Sequence, residues 1–186
     1  MSMTTESIQV ENVVASSDIG QELDLETLSG DLGATDYDPD NFPGLVYRMH
    51  DPKAAALIFR SGKVVCTGAN SVDDVTTALK HVFDELRELG VDVAASPEIE
   101  IQNIVSSGDL DHTLNLNAIA IGLGLESVEY EPEQFPGLVY RLDDPAVVAL
   151  LFGSGKLVIT GGTNLDDAEK ALINIEGRLN DLGLLD

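Results

Sequence analysis

Two carboxylate pairs, Asp73-Asp74 and Asp166-Asp167, have the adjacency that general acid and base work uses. Each follows a residue able to cap a helix, Ser71 and Asn164, and acids in a first helical turn are favoured by the helix dipole. The spacing therefore predicts structural acids rather than catalytic ones. Asp109, Asp111 and His112 could offer oxygen and imidazole ligands to a metal. The matching residues of the first half are Asp18, Gly20 and Gln21, which do not reproduce the set, so a solvated loop is expected. His50 and His81 stand apart from any nucleophile or ligand cluster, and no glycine-rich phosphate loop is visible. The single cysteine, Cys66, excludes an intramolecular disulfide and a multi-thiolate metal site. It lies in an apolar, strand-like run and reads as core. No catalytic group, metal or cofactor is expected.

The dominant feature is instead a repetition. Residues 130–161 reproduce residues 37–68 at a displacement of 93, with 20 identities in 32 positions. So long a period signals a duplicated subdomain rather than a solenoid. Two halves, residues 1–93 and 94–186, are expected to share one fold with pseudo-two-fold symmetry. Ile8 to Ser16 alternates as a strand, with Val13 and Ala15 on one side and Asn12, Val14 and Ser16 on the other. Asp24 to Leu32 predicts a short helix capped by Asp24. Leu45 to His50, Ala54 to Phe59 and Lys63 to Thr67 predict an antiparallel meander joined by Asp51-Pro52 and Ser61-Gly62. A long helix follows from Ser71, with Val72, Val75, Leu79, Val82, Phe83, Leu86 and Leu89 along one face and Gly90 as its stop. The second half repeats the order, with a strand over 101–107, a helix near 115–123 and three strands ending at Thr160. Its closing helix starts at Asn164 and carries Leu165, Ala168, Leu172, Ile175, Leu179 and Leu182. One continuous sheet with helices on one face is the expected result.

Ten basic residues against 33 acidic ones give a net charge of -23. Such a balance counts against nucleic-acid binding, which normally rests on Lys and Arg. One physical reason for it is cytoplasm at molar salt, where screening removes the self-repulsion of a carboxylate-rich surface. No run approaches the roughly 18 apolar residues of a membrane span, and the first residues lack the features of a signal peptide. A soluble, cytoplasmic protein without a membrane partner is expected.

Strand alternation places Val64, Cys66 and Ile58 on the helix side and Leu57, Phe59, Lys63, Val65 and Thr67 on the open side. Leu150, Phe152, Lys156, Val158 and Thr160 repeat the split. With Phe42 and Phe135 added, the uncovered face is apolar, which marks a binding surface, a subunit contact or a face under a second layer. Asn12 and Asn103 occupy matching places in the first strands, as Thr67 and Thr160 do in the last. A few donors within an apolar face complement the minor groove of A·T-rich DNA, which offers N3 and O2 acceptors and no exocyclic amine. A rival reading is a small-ligand or enzymatic domain whose phenylalanines line a cavity. It requires closing elements, and no spare helix remains once both repeats are assigned.

The segments Gln102-Asn103-Ile104-Val105-Ser106, Glu133-Gln134-Phe135-Pro136-Gly137-Leu138-Val139-Tyr140-Arg141 and Ala56 through Gly68 with its copy resemble the TATA-box-binding proteins, over nearly the whole span from Ile8 to Gly183. The chain looks like the archaeal form, lacking a long low-complexity N-terminal extension, and its acidity is similar to that of halophile proteins. The resemblance implies an α+β fold: a pseudo-two-fold duplicated saddle, one long curved antiparallel sheet with helices on the convex face. It also implies a non-enzymatic initiation factor that binds and bends A·T-rich promoter DNA. Kinking and wedge insertion are known of this family and come here from the resemblance alone.

Carried over by residue, the resemblance makes Phe42 with Phe59 and Phe135 with Phe152 the wedge pairs, with Pro43 and Pro136 supporting the loops. Asn12, Asn103, Thr67 and Thr160 become central donors, and Val14, Val105, Val65, Val158, Leu57 and Leu150 line the groove. Arg48, Arg141, Lys63, Lys156, Ser61 and Ser154 match positions that meet the DNA backbone. Those four basic residues are the only ones that the two halves share. Glu131, Glu133 and Gln134 match the loop that recruits transcription factor B, through which RNA polymerase is engaged. Asn70 and Thr163 stand where many members carry a lysine. Potassium or other cations are expected at the acidic surface.

Overall fold

The periodicities above become ten strands and four helices in the computed structural model, which describes residues 8–185; the polar segment 1–6 lies outside them. In chain order these are β1 (Gln9–Asp18), α1 (Leu25–Asp31), β2 (Thr35–Asp36), β3 (Leu45–His50), β4 (Lys53–Ile58), β5 (Lys63–Ala69) and α2 (Val72–Glu88). Then come β6 (Glu100–Asp109), α3 (Leu116–Leu123), β7 (Val128–Glu129), β8 (Leu138–Arg141), β9 (Val148–Leu151), β10 (Lys156–Gly162) and α4 (Leu165–Asp181). Contacts divide the chain into two compact units. One runs from Asn12 to Gln102; the other joins residues 8–11 with residues 103–185.

In the first of these the strand order is β2-β3-β4-β5-β1, and in the second β6-β10-β9-β8-β7, with antiparallel pairing between neighbours. Tight hairpins set the register. At Gly62 (φ +97°) and Gly155 (φ +96°) the chain turns in the left-handed region, and a Cβ at either would collide with the carbonyl oxygen of Gln21 or His112.

Each helix starts at a side-chain cap. Asp24, Ser71, Asn115 and Asn164 accept a hydrogen bond from the backbone N–H three residues on, which satisfies one of the orphan donors of a helix start. The Thr27 hydroxyl and N–H both bond Asp24, holding its carboxyl below the usual range. Asp73, Asp74, Asp166 and Asp167 fall in first turns, as their spacing predicts.

The buried face of α2, formed by Val75, Ala78, Leu79, Val82, Phe83 and Leu86, covers β4 and β5, where Ala56, Ile58, Val64 and Cys66 are fully buried. In the other unit Ala168, Ala171, Leu172, Ile175 and Leu179 of α4 share a core with Ala149, Leu151, Leu157 and Ile159. The stripes are shorter than their spacing suggests. Val72, Leu89, Leu165 and Leu182 are 39–46% exposed: Val72 and Leu165 open their helices, and Leu89 and Leu182 are the C-caps. Burial pushes the Cys66 thiol up to about 11, so it stays protonated and inert.

Candidate nucleic-acid interface

One face of each unit's sheet is helix-covered, and the other carries the alternate residues of the same strands. Pairing aligns that second face in rows. Val46 pairs with Leu57 and Leu57 with Val65, giving an apolar row across three strands, and Val139, Leu150 and Val158 repeat it. All six are half-buried, as are Val14 and Val105. Val46 and Val139 were absent from the sequence-based set, although the alternation in Leu45 to His50 points to them.

A polar row lies beside the apolar one. Arg48 pairs with Ala55 and Ala55 with Thr67; in the copy, Arg141 pairs with Val148 and Val148 with Thr160. Each row ends on an asparagine. The Asn12 Oδ1 accepts from the Gly68 N–H at 2.7 Å, and its Nδ2 donates to the Thr67 hydroxyl at 3.1 Å. Asn103 does the same, with Gly161 at 2.6 Å and Thr160 at 3.0 Å. The backbone donor decides the orientation of each amide, since only the carbonyl oxygen can accept from it. Nδ2 has two hydrogens and spends one on the threonine, whose hydroxyl in turn donates to the Oδ1 of the same amide at 3.3 Å. Among the described residues each unit thus leaves one amide hydrogen uncommitted in one fixed Asn-Thr-Gly constellation. Nothing in the sequence signals this bond, which joins residues more than fifty positions apart.

Phe42 and Phe59 make an edge-to-face pair with ring centroids 5.8 Å apart and planes at 65°, and Phe135 with Phe152 gives 5.9 Å and 68°. Phe42 and Phe135 keep nearly two-fifths of their surface exposed, beside exposed Pro43 and Pro136. Their loops are wound into a tight turn. The Asp38 carbonyl accepts from the N–H groups of Asn41 and Phe42, and Glu131 from those of Gln134 and Phe135, at 2.9–3.0 Å. Asp38 tightens its loop further by accepting from the Asn41 side chain at 2.7 Å. Two large exposed apolar side chains held rigid by backbone bonds are built for an apolar partner. Glu131, Glu133 and Gln134 are all exposed on the second loop.

Arg48, Lys63, Arg141, Lys156, Ser61 and Ser154 are exposed at strand ends and hairpins. Ser61 and Ser154 each accept from the following lysine's N–H at 3.4 Å. Arg141 is engaged by Glu129 at 3.4 Å, an exposed pair that is weak in water and that sequence spacing did not reveal.

The other candidates have structural roles. Asp109 accepts from the Asp111 N–H at 2.8 Å, as Asp18 does from Gly20 at 2.9 Å, so both start a local turn. His81 lies 3.3 Å from the Tyr47 hydroxyl and 3.7 Å from Glu85. Burial, aided by Glu85, raises the Tyr47 phenol above its usual range. Among the described residues no cluster of three His, Cys, Asp or Glu could hold a metal, and no helix is long and apolar enough to cross a membrane.

The sequence profile described as transcription factor TFIID, or TATA-binding protein, matches residues 7–89 and again 98–182. The chain is 68% identical over 186 residues, all of both chains, to TATA-box-binding protein B of Halobacterium salinarum. It is 70% identical over 181 residues, 97% of each chain, to the TATA-box-binding protein of Haloarcula marismortui. Among solved structures it matches the Methanococcus jannaschii protein of that family with a TM-score of 0.84 and 52% identity, covering 94% of this chain and 99% of the other.

Proposed function

This chain belongs to the TATA-box-binding protein family, whose members are DNA-binding transcription factors rather than enzymes, and on that premise we propose how its own residues read and deform promoter DNA. The open face sits in the minor groove of an A·T-rich element. The observation that carries this reading is the twin Asn-Thr-Gly constellation within an apolar face. Its two free amide hydrogens, one in each unit, complement N3 and O2 acceptors, and the valines and leucines around them leave a guanine N2 amine without a partner.

The phenylalanine pairs wedge into base steps at the ends of the element and bend the duplex. Unstacking costs a few kcal/mol per step, offset by the surface the bend brings into contact. Arg48, Lys63, Lys156 and Arg141 meet the phosphates, the last after releasing Glu129, with Ser61 and Ser154 beside them. Asp40, Glu131 and Glu133 are exposed carboxylates near that rim. They approach phosphates only with potassium or another cation between, and such uptake opposes the usual counterion release. Glu131, Glu133 and Gln134 project from the second loop and offer transcription factor B an acidic, hydrogen-bonding surface, and RNA polymerase joins through that factor. The protein works in the cytoplasm of an archaeal cell as a general initiation factor.

A band shift at molar KCl tests this, with an A·T-rich duplex against its G·C-substituted counterpart. Preferential retardation of the first is expected. Equal binding, or none to either, would refute the minor-groove reading.

A further inference from the structure

We propose that Gly44 and Gly137 are positioning residues, each forming the floor on which a phenylalanine pair rests and so setting how far the pair projects. The proposal rests on the wedge reading above. Eight glycines among the described residues turn in the left-handed region, and these two are not among them. Their backbone would accept any residue, so the requirement for glycine is spatial. A Cβ at Gly44 would lie 2.8 Å from Phe42 Cε2 and 3.0 Å from Phe59 Cε1. At Gly137 it would lie 2.7 Å from Phe135 Cε2 and 2.8 Å from Phe152 Cε1.

Carbon atoms in contact sit about 3.5–4.0 Å apart, so one methyl group would force both rings of a pair outward by about 0.5–1.3 Å. Both glycines are buried while the rings above them are not, so the ring pair is the part free to move. An edge-to-face pair resting on a bare Cα is fixed at three points: each ring by the other, and both by the floor. Wedges must match a base step closely, and the floor is where that match is made. The same arrangement in both units, at the same Phe-Pro-Gly motif, places the two floors under one requirement.

The test compares wild type with Gly137→Ala at molar KCl, on an A·T-rich duplex carrying fluorophores at both ends and 2-aminopurine at the terminal steps. If wild type neither binds nor bends this duplex, the wedge reading itself fails, and that outcome is seen separately in the control. With wild type bending, Gly137→Ala is expected to lower end-to-end energy transfer and 2-aminopurine unstacking and to lose about tenfold in affinity, with its thermal midpoint little changed, because the part-exposed rings and not the buried backbone give way. The same glycine change is then made where Phe135→Leu and Phe152→Leu have removed the rings; there it should alter neither affinity nor bend. Wild-type bending by Gly137→Ala would overturn the proposal. So would an undiminished loss in the ring-free background, or unfolding in both backgrounds, since each would place the requirement in the backbone.

Discussion

Replacing Asn12 by aspartate is the most informative single change at the open face. Aspartate keeps the oxygen that accepts from the Gly68 N–H at 2.7 Å, so the local fold persists. It also replaces an amide donor by a charged acceptor directed at the N3 and O2 acceptors of the bases. Alanine removes both the donor and the partner of the Gly68 N–H. In the free protein Gly68 is exposed and water substitutes, so stability should change by less than about 0.5 kcal/mol. Under DNA that N–H and a base acceptor are both left unpaired, at about 1–3 kcal/mol, or roughly 5- to 150-fold in affinity. Aspartate should lose more than alanine, because it adds repulsion between acceptors, and Thr67→Val less, because only one hydroxyl goes. Anisotropy titrations of a labelled A·T-rich duplex at molar KCl, with circular dichroism on each variant, give the order. Aspartate binding as well as wild type, or better than alanine, would show that the amide does not donate to the bases.

Phe59→Ala or Phe152→Ala should reduce bending along with affinity, and an unchanged bend by energy transfer between labelled DNA ends in both variants would remove the wedge assignment. The Ser106 hydroxyl is fully buried without a hydrogen-bond partner among the described residues, and Ala15 fills the matching place in the first repeat, so Ser106→Ala should stabilise by about 1 kcal/mol in denaturant unfolding. A lower midpoint would reveal an unseen partner for that hydroxyl. Four shared basic residues alone would give a log-log salt slope of roughly -3.6. With cations bridging carboxylates to phosphates, affinity between about 1 and 3 M KCl should be flat or rising on a protein folded throughout, and a slope near -3.6 would refute cation bridging.

The strands and helices were legible in the sequence because burial imposes periods of 2 and 3.6 on them, and because Asp24, Ser71, Asn115 and Asn164 advertise helix starts. The two-residue strands β2 and β7 were not, since two residues carry no period. The ends of the helical stripes are more exposed than their spacing suggests for a related reason: spacing reports which face a residue lies on, and not how deeply it is buried there. At the site, residue types and alternation located Asn12, Thr67 and the phenylalanines. The bond from Asn12 to Gly68, the Arg141 to Glu129 pair and the glycine floors depend on which strands are neighbours, which composition does not encode.

The central claim is that the face reads the minor groove, and a single atom group tests it. Replacing guanine by inosine removes only the N2 amine, so an I·C-substituted element has the minor-groove pattern of A·T and the major-groove pattern of G·C. Competition titrations at molar KCl should rank the I·C duplex with the A·T duplex and well above G·C. An I·C duplex bound as weakly as G·C would place recognition in the major groove and contradict the account.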